Sequence, residues 1–413
     1  IYPAHQTDGA GGTTGSIFIQ DIQLEIGTEA SPYVENSELA GILDDSPRID
    51  YTESDGYLVM EPQRANYFPY SEYAGGLDAY EAPTLTHNYA ISPDGTKNAF
   101  RIQDPSGSVY RRVAENLTKG GEDTWTFSVF VKKADADVSV YGGMSINFYG
   151  GTQKVLYVLF NEYDGTMVRN SQSHVSADDA TLTSEDYGDY WRFIITATDQ
   201  GSNISVQGNL YARLSNNWGS NANAGVKDYT AYGLQLEKGS YVTSYIPTHG
   251  ASVTREQDQI ELKKDLAYGA WTIFMDVDNV NLAGGGDQGH WSFRTQSDVT
   301  KSSLFFYGTC FGYRTTDTTA NDYPIKYVCS LLGGQNTVFS GKWAVTYDGS
   351  TTMKFYVDGS LDSTATDVDA TDTKGIQKMI LNYPSAHHPN KNIKDLRVYD
   401  KELTQAEAEA LTA

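Results

Sequence analysis

Apolar and polar residues alternate with period two along most of this chain, in short runs broken by turn residues. The clearest run is WTFSVFVK, Trp125 to Lys132. Trp125, Phe127, Val129 and Val131 share one face, Thr126, Ser128 and Lys132 take the other, and Phe130 breaks the pattern. YWRFIIT, Tyr190 to Thr196, repeats the alternation, and so do WTIFMDVDNV, SLFFYG, KWAVTYD and IKDLRVYDK further on. KFYVDGSLDS predicts a hairpin turning at Asp358-Gly359, a pair that tolerates positive φ. One helix is predicted, at the C-terminal end, where Thr404-Gln-Ala-Glu407 forms a capping box ahead of AEAL. The expectation is an all-β chain of tandem β-sandwiches with one short C-terminal helical turn.

One phrase occurs twice. IFIQDIQLEIGTEASPYV (Ile17–Val34) and YTAYGLQLEKGSYVTSYI (Tyr229–Ile246) share Gln-Leu-Glu-x-Gly followed at fixed spacing by Tyr. The second copy closes a domain, so the first is expected to close another. The predicted organisation is the last strands of a preceding copy over 1–36, a linker over 37–56, one sandwich over 57–247 and a second over 248–413. Leu24 and Leu236 are expected in equivalent buried places, because a one-residue slip would turn each to solvent.

Composition narrows the partners. The 413 residues are rich in Gly and Tyr and carry a net charge of -23. That charge argues against nucleic acid and anionic membranes and favours a neutral partner such as glycan, or bound cations. No apolar run is long enough to predict a membrane span. Cys310 and Cys329 are too few for a disulfide scaffold, and their strand-like surroundings leave pairing and free thiols both open.

Two stretches resemble known families. Lys342-Trp343-Ala-Val-Thr-Tyr-Asp-Gly, Lys354-Phe-Tyr-Val-Asp358-Gly359 and Ile393-Lys-Asp-Leu-Arg-Val-Tyr399 with Leu403 to Glu407 look like the laminin G-like, concanavalin A-type jelly roll. Leu58-Val-Met-Glu61-Pro62-Gln63-Arg64-Ala-Asn66, Ser92-Pro93-Asp94-Gly95-Thr96, Trp125 to Lys132 and Gly233-Leu-Gln235-Leu-Glu237-x-Gly239 are similar to the carbohydrate-binding-module-like jelly rolls of phage tail and fibre proteins. The resemblance implies tandem jelly rolls in a non-enzymatic virion appendage, a tail-fibre, receptor-binding or decoration protein segment at the virion surface or in the extracellular space. It implies host-surface glycan as partner, other virion subunits as neighbours and structural Ca²⁺ as the one cofactor to consider. An apolar strand such as IFIQDI needs completion by more chain or another subunit, which predicts a larger, trimeric assembly with avidity. Structural spacer modules of a larger phage protein are one alternative. Binding modules of a secreted adhesin or polysaccharide-degrading enzyme are another.

Candidate chemistry is sparse. Glu256-x-Asp258-x-x-Glu261 has the carboxylate spacing of some retaining glucanases but stands in TREQDQIEL, where an exposed strand is expected. Gly284-x-Gly286-x-x-Gly289 lacks the following helix of a dinucleotide site. His387-His388 has no third ligand at useful spacing, and Asp276 and Asp278 share a strand face without a compact ligand loop, so metal ligands stay unassigned. Aromatic rings stack on the apolar faces of sugars while amides bind hydroxyls. Trp125, Trp191, Trp271 and Trp343 lie in strand patterns and are expected in cores. Trp218 lies in the polar loop SNNWGSNANAG, so Trp218 with Asn216 and Asn217 is the candidate ligand site, joined by Tyr149; packing under its own loop is the competing role. Tyr67, Tyr70 and Tyr73 are weaker candidates.

Overall fold

The computed structural model describes residues 48–413 except 51–56, 106–109, 121–122, 138–139, 215–226, 259, 264–268, 282–286, 295–299, 308–309, 316–324, 329–337, 367–377 and 382–390. The chain is all-β, with antiparallel sheets and one α-helix, Gln405–Thr412, among the described residues. That helix opens with the expected capping box: Thr404 and Glu407 bond reciprocally, satisfying two backbone donors. The first copy of the repeated phrase, with Leu24, lies outside the described residues.

The first sandwich is two six-stranded sheets. One runs Met167–Arg169, Lys154–Phe160, Tyr141–Tyr149, Ser205–Leu214, Arg112–Thr118, Asp78–Tyr80 in spatial order. The other runs Ala180–Tyr187, Tyr190–Thr198, Thr124–Lys132, Lys227–Lys238, Ala99–Asp104, Thr84–Ala90. Alternation aims Met144, Ile146, Phe148, Leu156, Val158 and Phe160 from the first sheet against Trp125, Phe127, Val129, Val131, Phe193 and Ile195 from the second, all in one buried cluster. Trp191 is half-buried at the edge of that cluster rather than inside it.

Phe130 faces the opposite side of its strand and is nonetheless buried. A second layer covers it: Phe130 packs edge-on against Tyr187 and Tyr245, and Tyr232 lies beside it. That layer is tied down by the repeated phrase itself. Leu234 and Leu236 point into the core. Gln235 and Glu237 point outward and grip the segment that follows: Gln235 Oε1 accepts from Ile246 N at 2.6 Å, and Glu237 Oε2 accepts from Thr243 N at 3.0 Å. Gly239, at φ 154, lets the chain turn back where a Cβ would meet the Arg64 guanidinium at 2.9 Å. From the other side, Asn66 donates to Leu234 O and Ile246 O and accepts from Phe68 N and Leu236 N, all within 3.1 Å.

The second sandwich pairs a seven-stranded sheet with a six-stranded one. In the larger sheet Trp271, Ile273, Met275, Trp343, Val345 and Phe355 are buried on one face. The helix packs on the other, where Phe274, Ala344, Tyr356, Leu403 and Ala408 form a small core. The hairpin turns at Asp358 and Gly359 with φ of 43° and 80°, as the residue pair predicts.

Strand membership departs from the expected boundaries. Tyr57–Met60, expected to open the first sandwich, is hydrogen-bonded to Lys391–Tyr399 in the second, with Leu58 opposite Ile393. Arg48–Asp50, inside the expected linker, is a strand pairing with Tyr57–Met60 at the same sheet edge. The chain then leaves to build the first sandwich and returns at Val253–Arg255, which pairs with Arg64–Asn66. The buried Glu61–Arg255 ion pair, 2.9 Å, sits at this crossing.

Candidate functional site

The outward face of the first sheet, the one bearing Tyr149, is the best-organised polar and aromatic surface among the described residues. Its rows follow from the register. Tyr149 stands beside Ser205 and Thr118; Asn147 stands between Val155 and Gln207, with Asn116 beyond. The next row is Tyr157, Ser145, Asn209, Ala114 and Asp78. The last is Val168, Leu159, Gly143, Tyr211, Arg112 and Tyr80. Each strand contributes its even- or odd-numbered set because the other set fills the core.

This face has a buried polar floor and a rim of rings. Ser145, Asn147, Asn209 and Tyr211 are buried, Tyr149, Tyr157 and Arg112 are half-buried, and Tyr80 is 54% exposed. Asn209 Nδ2 donates to Ser145 Oγ at 3.1 Å and Asn147 Nδ2 to the Tyr149 hydroxyl at 2.7 Å. The other halves of both amides are unsatisfied: Asn147 Oδ1 and Asn209 Oδ1 are buried with no hydrogen-bond partner, and so is Arg112 Nε. The Arg112 guanidinium lies over the rings of Tyr80, at 4.4 Å, and Tyr211, at 5.6 Å. Tyr157 and Tyr211 meet edge-on at 6.3 Å. Burial pushes both phenols above their ordinary range, with Tyr149 adding to the rise at each. They are therefore neutral hydroxyls near neutral pH.

Of the residues expected from the sequence, Tyr149 belongs to this face. Asn216, Asn217 and Trp218 lie outside the described residues; in the sequence they follow the strand Ser205–Leu214 of this sheet. Asn147, Tyr157, Asn209, Tyr211, Arg112 and Tyr80 were missed. The available signal was alternation: in YGGMSINFY and SVQGNLYARL the residues between the core positions are Ser, Asn, Gln and Tyr rather than Lys, Glu and Thr.

The weaker tyrosines divide. Tyr67 packs edge-on against Trp125 and Tyr70 lies against the core, while Tyr73 stacks on His87 at 4.2 Å. Near Tyr73, the Tyr232 hydroxyl bonds both Glu72, at 3.0 Å, and Asp94, at 2.7 Å. Asp94 also accepts from Ser92, Thr96 and Asn98, which makes SPDGT a self-bonded turn.

The remaining motifs hold the fold together. Asp258 Oδ2 accepts from Glu61 N at 2.7 Å and Glu256 Oε2 from Gln63 Nε2 at 2.6 Å, so both serve the crossing between sandwiches. The side chain of Glu261 lies outside the described residues. Gly289 lies inside the strand Asp287–Arg294 and not before a helix. Asp278 is bonded by Ser340 and paired with Lys394 at 3.6 Å, while burial raises the Asp276 carboxyl against the pull of Lys394 and Lys342. Among the described residues no three His, Cys, Asp or Glu side chains converge as a metal site requires. His387, His388 and Cys329 lie outside the described residues. No described helix is long and apolar enough to cross a membrane.

Residues 250–409 match the Laminin_G_3 model of the concanavalin A-like lectin/glucanases superfamily. The match covers the second sandwich apart from its strands Arg48–Asp50 and Tyr57–Met60, and leaves the first sandwich outside it. No curated protein matches the chain. Among solved structures, a botulinum neurotoxin type C structure described as depending on two ganglioside molecules for cell entry is 15% identical at TM-score 0.31, covering 38% of this chain and 40% of that one. A Ruminococcus gnavus sialidase CBM40 bound to α2,3-sialyllactose is 16% identical at 0.29, covering 38% and 96%. A SAP-like pentraxin from Limulus polyphemus is 12% identical at 0.30, covering 38% and 75%. This chain thus spans about two fifths of the neurotoxin structure.

Proposed function

We propose that this chain is a non-enzymatic glycan-binding segment and that the outward face of the Tyr149-bearing sheet is its binding surface. The observation that carries this is the pairing of rim rings Tyr80, Tyr149 and Tyr157 with two buried amide acceptors that have no partner. An unpartnered buried acceptor keeps its desolvation cost, about 1–3 kcal/mol, until a donor arrives. Sugar hydroxyls are such donors, and the C–H face of a pyranose suits the rings. Reaching the floor requires the half-buried Tyr149 and Tyr157 to rotate. The segment with Asn216, Asn217 and Trp218 follows the strand Ser205–Leu214 in the sequence and is the proposed second contributor. The lectin and glucanase members named by the matched family make a carbohydrate partner fitting for the second sandwich too. The setting that fits is a virion appendage contacting host-surface glycans in a trimeric assembly.

The test is a glycan array followed by calorimetry on the whole chain. Asn209→Ala, Tyr157→Ala and Trp218→Ala should each weaken the best-binding glycan by about 1–3 kcal/mol. Full affinity in the two sheet variants would remove the site. Reducing-end release that is lost in Glu256→Gln would overturn the non-enzymatic reading.

A spacer role is the second reading. The shared strand Tyr57–Met60 and the Glu61–Arg255 pair favour it, because they lock the sandwiches together as a rod would need. No binding across the array would leave that reading standing.

A further inference from the structure

Resting on the glycan-binding reading, we infer that the sugar recognised by this face carries an anionic group, a carboxylate or an acidic ester, and that Arg112 binds it. Three observations converge. First, Arg112 has no carboxylate partner among the described residues, although the chain carries 53 acidic against 30 basic residues. The arginines beside it in the chain and on the next strand, Arg111 and Arg213, both bond Asp104.

Second, Arg112 is presented. Tyr80 lies on it at 4.4 Å and Tyr211 at 5.6 Å, which orients the planar fork without using its hydrogen bonds. Its Nε is buried and unpartnered, a donor whose desolvation cost is already met. A guanidinium held this way matches a carboxylate or ester oxygen pair with two parallel N–H donors.

Third, Arg112 shares the face with the neutral acceptors. It stands directly opposite Tyr211, one row from Asn209. A sugar ring laid beside Asn209 can give it a hydroxyl and its anionic group to Arg112 one row away, while Asn147, two rows and two strands from Arg112, is left for a neighbouring sugar unit. The nearest acids on this part of the sheet are Asp78 and Glu115. Asp78 stands opposite Ala114, one row from Arg112, and Glu115 has the core-side parity of Val113; burial first and Asp78 second raise the Glu115 carboxyl.

The experiment uses the full chain and an array of acidic polysaccharides, each immobilised in native form and after reduction of its carboxylates to alcohols, with desulfated or dephosphorylated counterparts for the ester-bearing members. Wild type should prefer the native member of at least one pair by about tenfold or more. Raising the salt from about 0.02 to about 0.5 M should erase that preference. Arg112→Gln should lose the preference, read as the ratio of native to neutral affinity, and Arg112→Lys should restore only part of that ratio, because a point charge lacks the fork. Tyr80→Ala, which leaves the charge and frees the guanidinium, should reduce the preference in the same direction. Equal or better binding of the neutral members by wild type overturns the anionic inference and leaves the glycan face intact. An acidic preference unchanged in Arg112→Gln overturns the assignment to Arg112. No binding to any pair, with binding retained on the general glycan array, overturns this inference alone; no binding on either array overturns the glycan reading with it.

Discussion

The side chain of Asn66 makes four hydrogen bonds from a position with no solvent exposure. Both amide hydrogens and both lone pairs of the oxygen are used, so no smaller or differently charged residue replaces it without leaving backbone groups unpaired. Glu72 is the contrasting case. Burial first, and Asp94 further, hold its carboxyl above the ordinary 4.5, against His249 and the hydroxyls of Tyr232 and Tyr245. A carboxyl raised in the folded state gives stability that is complete below 4.5 and is lost as pH rises through the folded value. Asp94 works in the other direction. Burial pushes it up, but hydrogen bonds from Ser92, Tyr232 and Thr96 outweigh that and hold it below 3.8, so its contribution is present above 3.8 and lost as pH falls. Glu72→Gln removes only the first effect. Between about pH 4 and about pH 7 its urea-unfolding free energy should decline less than wild type's. An equal decline would show that Glu72 is not strained by its burial.

At the scale of elements, the hairpin at Asp358-Gly359 is the plainest case of local chemistry deciding structure. Both residues have positive φ, and a Cβ on Gly359 meets no atom closer than 3.4 Å. Gly359→Ala should therefore cost only the left-handed backbone penalty, about 1–2 kcal/mol, with the hairpin retained. A loss beyond about 3 kcal/mol in chemical denaturation would mean that packing, not backbone preference, selects glycine there. Such local features were legible in the sequence: the hairpin, the capping box and the inward set Trp125, Phe127, Val129 and Val131. Phe130 was not, because its cover comes from Tyr187 and Tyr232 on other strands and from Tyr245 in the segment held by Gln235 and Glu237. The face around Tyr149 was legible at one residue only. Its partners come from six strands, and cross-strand register, which no single run of residues displays, puts Asn209 beside Ser145 and Arg112 beside Tyr211.

At the scale of the molecule, the segment 61–66 and the segment 253–258 meet in a small polar crossing. Glu61 pairs with Arg255 and accepts from Ser244 N through its carboxylate, its backbone N donates to Asp258 Oδ2, and its carbonyl accepts from Asp258 N. Both ion-pair partners are buried, so removing either leaves an uncompensated charge. The glucanase-like carboxylate spacing found in the sequence therefore corresponds to a joint between domains. The boundary at 57 was not legible either, because the partner of Tyr57–Met60 is the strand Lys391–Tyr399 near the other end of the sequence.

That strand order has a consequence in time. A chain made from its N-terminus exposes Tyr57–Met60 long before residues 391–393 exist, and the first sandwich is completed in between. At about 5–20 residues per second the wait is roughly twenty seconds to a minute. During it the segment YLVM has Arg48–Asp50 as its only available strand partner and an open edge on the other side, exposed to proteases, chaperones or another nascent chain. Ribosome-bound chains stalled at about residue 300 should be cleaved beside Tyr57 by a protease that prefers aromatic sites, while the segment 124–238 resists. Released full-length protein should be protected at both. Protection of Tyr57 in the stalled chain would mean that this strand finds its place before its partner is made.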